Sequence, residues 1–183
     1  MAEIDQKIRN ALLHLMRRKR FENITMKEIA LESGVNRSTV YRHYIDKFEI
    51  MNLIEDNILH EFADAESLDT SNNFVSESSI LIMLKAIDER RGIIRLLLSE
   101  NGDARFKERL SRFLTTQGLH RIDVAADRGV LDIRQKELLV QYISSAILGL
   151  VGYWAEHPEM GVEELDTLFE KLFRSGINSF LAH

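Results

Sequence analysis

The first apolar positions of the chain follow the period of an α-helix. Six of them lie at intervals of one, three and four residues, namely Ile4, Ile8, Ala11, Leu12, Leu15 and Met16. This spacing places them on one narrow side of a helix, so the sequence predicts a first helix over about residues 3–20. Thr25 and Glu28 then have the spacing of a capping box, which predicts a second helix that ends at Gly34.

Two further helix starts follow this turn. Asn36 is a favourable N-cap for a short third helix up to about Tyr44, and Asp46 is one for a fourth. The fourth helix carries an apolar line made of Ile50, Ile54, Ile58 and Phe62. Residues 67–73, which read Ser-Leu-Asp-Thr-Ser-Asn-Asn, predict a loop after it.

The remainder of the chain also has apolar residues at helical spacing. Its longest predicted helices cover about residues 104–128, 133–156 and 162–181. Pro158 separates the last two, because the residue before a proline is disfavoured in a helix. No segment alternates as a strand does, so the sequence predicts an all-α fold of about nine helices.

Composition excludes several classes of protein. The 183 residues contain one proline and no cysteine, which excludes disulfides, thiolate metal sites and cysteine nucleophiles. The longest nearly uninterrupted apolar run, residues 146–155, is far shorter than the roughly 20 residues of a membrane-spanning helix. The N-terminal residues include acids and lack the apolar core of a secretory signal. We therefore expect a cytoplasmic protein that makes no membrane contact.

Charge is distributed unevenly along the sequence. Residues 1–47 contain ten Lys and Arg against six Asp and Glu, a net of +4, whereas residues 48–183 have a net of −9. A basic segment attached to an acidic body indicates a polyanionic partner for the first part. Chance clustering of surface charge is the alternative.

Residues 25–47 meet the requirements of a helix-turn-helix. Ala30 is a small residue for the close helix contact, Gly34 suits the turn, and Val40 is placed in the shared core. The polar residues of the third helix are then distributed around its outer faces, as a major-groove reader requires. Lys47, at the start of the fourth helix, adds a positive group for a phosphate. An ordinary helical corner with a polar surface is the alternative, and the capping box and glycine turn favour DNA binding.

In these residues the chain resembles the TetR family of transcriptional repressors. The matching residues include Ser33-Gly34-Val35, Ser38-Thr39-Val40-Tyr41 and Asp46-Lys47. The resemblance implies a DNA-binding domain over residues 1–47, a connecting helix over 46–66, and a domain for ligand binding and dimerisation over 48–183. It also implies a homodimer that binds a palindromic operator in double-stranded DNA. The predicted DNA-contacting residues are Thr25, Lys27, Arg37, Ser38, Thr39, Tyr41, Arg42, His43, Tyr44 and Lys47.

Two later segments are similar to a subgroup of this family that is common in Gram-positive bacteria. They are Leu96–Asp103 and Gly149–Trp154. Some members of that subgroup act as activators or need a partner, so the resemblance leaves the sign of regulation open. The basic run Arg17–Arg20 replaces a glycine that is often found between the first two helices of the family. This run can contact phosphate or simply be a solvated helix end.

The C-terminal part offers a candidate dimer interface and a candidate pocket. Small and aromatic residues share part of the 133–156 helix, and the resemblance favours a dimer seam over packing within the chain. With apolar residues of the last helix, the predicted interface comprises Tyr142, Ser145, Ala146, Gly149, Gly152, Tyr153, Leu165, Phe169, Leu172 and Phe173. A pocket for an unknown small-molecule effector could be lined by Met83, Phe106, Phe113 and Trp154. The alternative is that these four residues simply belong to the core.

Other functions find little support in the sequence. His60 and Glu61 begin a zinc-protease pattern, but the position for the second histidine holds Asp64. No phosphate-binding glycine loop or nucleophile elbow occurs, so we expect no enzyme, no metal site and no cofactor. The sequence predicts a DNA-binding regulator. The alternative is a helical protein-interaction adaptor or co-activator whose helix-turn-helix no longer represses by itself.

Overall fold

The computed structural model describes residues 2–67, 84–125 and 131–172. Within these ranges every regular element is helical, which confirms the predicted all-α class. The 3₁₀ turn Phe21–Asn23 lies between the first two of the helices α1 Ala2–Met16, α2 Met26–Ser33, α3 Arg37–His43 and α4 Lys47–Ser67. The later ones are α5 over residues 84–89, α6 Arg91–Leu98, α7 Ala104–Ala125, α8 Ile133–Glu156 and α9 Val162–Glu170. Most of the predicted 67–73 loop lies outside the described residues.

The chain forms two compact units. The first comprises Met1–His60 together with Gly92–Glu108, and the second comprises Glu61–Arg91 together with Arg109–His183. Helices α4 and α7 therefore each begin in the first unit and continue into the second. The first unit adds α6 and the start of α7 to the four N-terminal helices.

The interior of the first unit is built on the apolar stripe of α1. Ile8, Leu12 and Met16 are fully buried, as their helical spacing predicts. Ile29 of α2 and Val40 of α3 are buried as well, so three helices share one core. Burying an aliphatic side chain contributes about 1.5–3 kcal/mol, which makes this core the main support of the N-terminal helices.

Helix α1 ends at Met16, about one turn earlier than the sequence predicts. The backbone N–H groups of Arg18 and Lys19 both donate to the Leu15 carbonyl, which closes the helix with a tight turn. The side chains that follow bind acids of the same unit: Arg18 pairs with Glu32 at 3.0 Å, Lys19 with Glu28 at 2.7 Å and Arg20 with Glu100 at 3.3 Å. Three of the four side chains of the basic run therefore form ion pairs with acids of the same unit.

The predicted capping box at the start of α2 is confirmed. The Thr25 side chain accepts from the Glu28 N–H, and the Glu28 carboxylate accepts from the Thr25 N–H at 2.9 Å. Glu28 also accepts from Lys19. The bond with Lys19 and the two bonds from Thr25 lower the pKa of Glu28 to about 2. Both orphan donors at this helix start are satisfied.

In the second unit, Arg91 holds the C-terminal end of α8. Its guanidinium donates to the carbonyls of Trp154 at 2.6 Å, Met160 at 3.0 Å and His157. It also lies 4.1 Å from the centre of the Trp154 ring, whose N–H donates to the Met160 carbonyl at 2.9 Å. The last carbonyls of a helix lack partners within it, so this arginine completes the end of α8.

Helix α8 is also long and apolar enough to cross a membrane by the criteria of length and composition. A third of its apolar window is buried in the protein. A single helix of this kind is weak evidence for a membrane span, because core helices of soluble proteins meet the same criteria.

The loop between α6 and α7 packs closely on the end of α6. A Cβ atom at Gly102 would lie 1.9 Å from the Leu97 carbonyl oxygen, so only glycine fits there. The neighbouring Asn101 carbonyl accepts from the Phe21 N–H at 2.9 Å. The close packing at Gly102 thus places the loop against the turn that precedes α2.

We predict that Gly102→Ala destabilises the protein by about 1–3 kcal/mol, because the added methyl group forces backbone atoms apart. Gly92→Ala is the matched control, since nothing lies within 4 Å of a Cβ atom at Gly92. That helical substitution should be neutral or stabilise by up to about 1 kcal/mol. Urea unfolding followed by circular dichroism measures both. Equal midpoints for the two variants would contradict the close packing.

Candidate nucleic-acid interface

The turn between α2 and α3 depends on Gly34. Its φ angle is +66°, in the left-handed region, and its N–H donates to the Leu31 carbonyl. Nothing lies within 4 Å of a Cβ atom built at this position, so the backbone conformation alone favours glycine. The predicted helix-turn-helix geometry is present: two short helices joined by a glycine turn around a shared core.

Helix α3 is anchored at its start and in its middle. The Asn36 side chain accepts from the Ser38 N–H at 2.9 Å and from the Ser38 hydroxyl at 2.8 Å. Val40 is fully buried. One side of α3 is thereby fixed inward, and the opposite side is free for other contacts.

The free side of α3 carries four of the predicted DNA-contacting residues. Arg37, Ser38, Tyr41 and Arg42 are exposed, whereas Thr39 and His43 are half-buried at the edges. The Arg37 guanidinium lies 5.4 Å from the centre of the Tyr41 ring, one helical turn away. This face combines hydrogen-bond donors, positive charge and an aromatic ring, which are the groups that contact base edges and phosphates.

Helix α2 contributes two further predicted residues near its start. Thr25 and Lys27 are both exposed. The Thr25 hydroxyl donates to the Glu28 carboxylate at 2.8 Å, so it already has an internal partner. The Lys27 side chain therefore provides the positive charge at this helix start.

Tyr44 does not belong to the exposed face. It is 4% exposed. Burial first, and then the Asp5 carboxylate, raise the pKa of Tyr44. The family resemblance placed Tyr44 among the DNA-contacting residues, but its ring continues the buried line of Val40. Asp5, whose carboxylate lies 2.8 Å from Nδ1 of His43, was not among the predicted residues, because a lone acid beside the apolar stripe of α1 gives no signal of a distant partner.

Lys47 likewise has a different role from the predicted one. Its ammonium donates to the carbonyls of Phe21 at 2.8 Å, Glu22 at 2.6 Å and Ile24 at 2.9 Å. An ammonium has three hydrogens, so these bonds use all of its donors. Desolvation lowers the pKa of Lys47. Its charge stabilises the turn between α1 and α2 and leaves no N–H for a phosphate.

The predicted interface residues of α8 lie on an uncovered face. Tyr142, Ser145, Gly149 and Tyr153 are exposed, and Ala146 and Gly152 are half-buried. No atom lies within 4 Å of a Cβ atom built at either glycine. Small residues on an open helix face allow a second helix to approach closely.

The predicted interface residues of α9 lie elsewhere. Leu165 and Phe169 are 1% and 0% exposed, so their side chains pack inside the protomer and leave no surface for a second copy. Leu172 is half-buried, and Phe173 lies outside the described residues. The apolar period of α9 reflects its own core contacts, which the sequence alone does not distinguish from an interface.

The predicted pocket residues fall in different places. Phe106 is fully buried in the first unit, whereas Phe113 is half-buried in the second. Trp154 is fully buried against Arg91. Met83 lies outside the described residues. Phe106 and Trp154 are therefore core residues of separate units, and the pocket that the sequence analysis built on them loses its basis. Among the described residues no group of three or more His, Asp and Glu side chains has the geometry to hold a metal ion.

We predict that Lys47→Ala lowers the free energy of unfolding by about 2–3 kcal/mol, because three carbonyls lose a charged donor. Lys27→Ala, the matched control on the exposed start of α2, should change it by less than about 0.5 kcal/mol. Urea unfolding measures both. If Lys47→Ala unfolds with the wild-type midpoint and instead reduces the salt dependence of DNA binding, Lys47 binds phosphate.

Two family models match the chain. The model for bacterial regulatory proteins of the TetR family matches residues 8–54. A model for the C-terminal region of transcriptional regulators of this family matches residues 76–175, more than half of the chain. Together they cover both the helix-turn-helix and the second unit.

Individual relatives are more distant. An uncharacterized helix-turn-helix transcriptional regulator of Bacillus subtilis (strain 168), YxbF, is 26% identical over 152 residues, covering 80% of this chain. The chain spans 38% of the length of YxbF. A TetR-family regulator from Syntrophomonas wolfei has the same fold, with a TM-score of 0.75 at 17% identity over 96% of this chain and 97% of that one.

A fatty acid degradation regulator, FadR, of Bacillus halodurans gives a TM-score of 0.72 at 12% identity, with 95% and 96% of the two chains covered. The dihydroxyacetone kinase operon activator DhaS gives a TM-score of 0.59 at 17% identity, with 100% of this chain and 96% of that chain covered. At these identities the structural likeness shows the fold alone. The helix-turn-helix geometry and the two family models establish that this chain belongs to the TetR family, whose members are DNA-binding transcriptional regulators and not enzymes.

Proposed function

We propose that the protein acts in the cytoplasm as a homodimer that binds a palindromic operator and represses transcription until a small molecule releases it. The exposed face of α3 carries this proposal. Arg37, Ser38, Tyr41 and Arg42 point away from the core, whereas the neighbouring Lys47 and Tyr44 are used inside it. A helix with donors on its outer side and aliphatic residues on its inner side suits the major groove.

The roles of the individual residues follow from their chemistry and position. Arg37 and Ser38, at the N-terminal end of α3, are suited to base edges, because this end of a recognition helix enters the groove. Tyr41 and Arg42 follow within two turns and are suited to phosphates, whereas the predicted contact His43 is 13% exposed and lies 2.8 Å from Asp5. The first unit, rather than residues 1–47 alone, is the part that we assign to DNA binding, with α4 as the connector.

The sign of regulation is a separate proposal. Structural neighbours include an operon activator and regulators of fatty acid metabolism, and their likeness concerns the fold alone. We favour repression because it needs only occupation of the operator, whereas activation needs an additional contact with the transcription machinery. A protein-interaction adaptor that has lost DNA binding is the competing function, and the DNA-binding test below separates the two.

The effector that we propose is a small apolar or amphipathic molecule that binds the second unit. A ligand shifts a conformational equilibrium only through its different affinities for the two states. We propose that α4, which continues from the first unit into the second, transmits this change to α3. Trp154 is the single tryptophan, so its emission reports ligand binding in a compound screen. A compound that releases DNA and leaves this emission unchanged would place the ligand site away from the end of α8.

We predict salt-dependent binding to an operator selected from random DNA, because phosphate contacts release counterions. Arg37→Ala should relax the preference at one base position by about 1–3 kcal/mol. Arg42→Ala should weaken binding to all sequences and reduce the salt slope by about one. Arg20→Ala is the control, since this exposed arginine pairs with Glu100. Fluorescence anisotropy over a salt series provides the measurement. Wild-type protein that binds no duplex at any salt concentration would support the adaptor function.

We also predict that Gly149→Leu converts the dimer into a monomer. The space around Gly149 is open within the protomer, so a leucine fits the fold and disturbs only a partner helix. Glu159→Leu, in the exposed turn after α8, is the control and should stay dimeric. Sedimentation at low micromolar concentration distinguishes the two forms. A Gly149→Leu protein that remains dimeric would place the interface on another face.

A further inference from the structure

Helix α3 is too short to be stable by itself. It has seven residues, whereas isolated helices shorter than about 12–15 residues are marginal in water. Its orientation therefore depends on contacts with the rest of the first unit. Asn36 fixes its start and Val40 fixes its middle, so the C-terminal end needs a third contact.

Asp5 of α1 supplies that third contact. Its Oδ1 lies 2.8 Å from Nδ1 of His43, the last residue of α3. The His43 and Asp5 side chains are 13% and 30% exposed, which shelters the pair from water. The next residue, Tyr44, is buried, so the Asp5 contact lies where the chain leaves α3 and enters the core.

The charges around this contact come from two helices. Arg9 lies one turn after Asp5 on α1, and Glu49 lies near the start of α4. Arg9 lowers the pKa of Tyr44, and Glu49 raises it. Neither replaces Asp5, because Asp5 is the residue whose carboxylate lies 2.8 Å from the His43 ring.

We infer that Asp5 is a positioning residue for DNA recognition, which fixes the C-terminal end of α3 through His43. This inference rests on the proposed function, in which α3 reads DNA. Asp5 precedes residues 8–54, the part that the N-terminal family model matches. With Asp5 in place, the outer residues Tyr41 and Arg42 keep one orientation relative to α1. Without it, the end of α3 is held by the buried Val40 and Tyr44 side chains and by its own backbone bonds.

The charge of Asp5 and its position have opposite effects on DNA binding. A negative charge beside the recognition helix repels phosphates, so removing a merely electrostatic Asp5 would tighten binding to every DNA sequence. Removing a positioning Asp5 would weaken binding to the operator and leave non-operator binding unchanged or stronger. The sign of the change therefore distinguishes the two roles.

The test compares Asp5→Ala, Asp5→Asn and the control Glu3→Ala by anisotropy with operator and non-operator DNA. Glu3 lies in the same first turn of α1, is exposed, and forms an ion pair with Lys7 at 2.7 Å. We expect Asp5→Ala to lose about tenfold in operator affinity, as for one lost charged hydrogen bond. Asp5→Asn, which keeps an acceptor oxygen, should recover part of that loss. Glu3→Ala should bind as the wild type does.

A second measurement uses the protein without DNA. The Tyr44 N–H donates to the Val40 carbonyl at 2.9 Å, so its hydrogen exchange reports on the end of α3. Asp5→Ala should accelerate this exchange about tenfold while the amides of α2 stay at the wild-type rate. Unchanged Tyr44 exchange, or operator binding at least as tight as the wild type, would overturn the role of Asp5. If the wild-type protein binds no DNA but Asp5→Ala still accelerates the exchange of the Tyr44 N–H, the proposed function is wrong and the structural role of Asp5 stands.

Discussion

The short turn between α1 and α2 is the point on which the first unit depends. Three of its carbonyls accept from the Lys47 ammonium at the start of α4, and the Phe21 N–H donates to Asn101 before α7. The Phe21 ring packs edge-on against Phe48, with 5.3 Å between the ring centres. Helices α2 and α3 therefore lie between two points that are hydrogen-bonded to each other, the turn before α2 and Lys47 at the start of α4. This closure adds to the shared core of α1, α2 and α3 in holding the helix-turn-helix in one orientation.

Much of this unit follows from local sequence signals. The stripe of α1, the Thr25 capping box and the Asn36 cap each involve residues within one or two helical turns, so their spacing is sufficient to predict them. Gly34 is of the same kind, because a left-handed backbone position strongly favours glycine. The residues exposed on α3 follow as well, once Val40 is placed in the core.

The roles of the charged residues could not be predicted in the same way. A sequence shows that a side chain is charged but not which partner it meets far along the chain. Lys47 binds carbonyls more than 20 residues away, and the basic run after α1 meets acids on α2 and near Gly102. For this reason Lys47 was predicted to bind DNA, and the basic run was left between phosphate contact and a solvated helix end. For the same reason the sequence analysis placed Leu165 and Phe169 at an interface, since an apolar helix period has the same form in a core.

These internal partners change the meaning of the positive N-terminal segment. Its net charge of +4 indicated a polyanionic partner, yet Lys19, Arg18 and Lys47 use their donors within the protein. Long-range attraction depends on net charge, and internal pairing leaves net charge unchanged, so the segment still draws DNA toward it. Close contact depends on free donors, which the exposed face of α3 presents in Arg37 and Arg42, while Lys27 is exposed on α2. The charge of residues 1–47 thus acts at a distance, whereas the recognition that we propose depends mainly on one short helix, so the anchoring of that helix matters more than the number of basic residues.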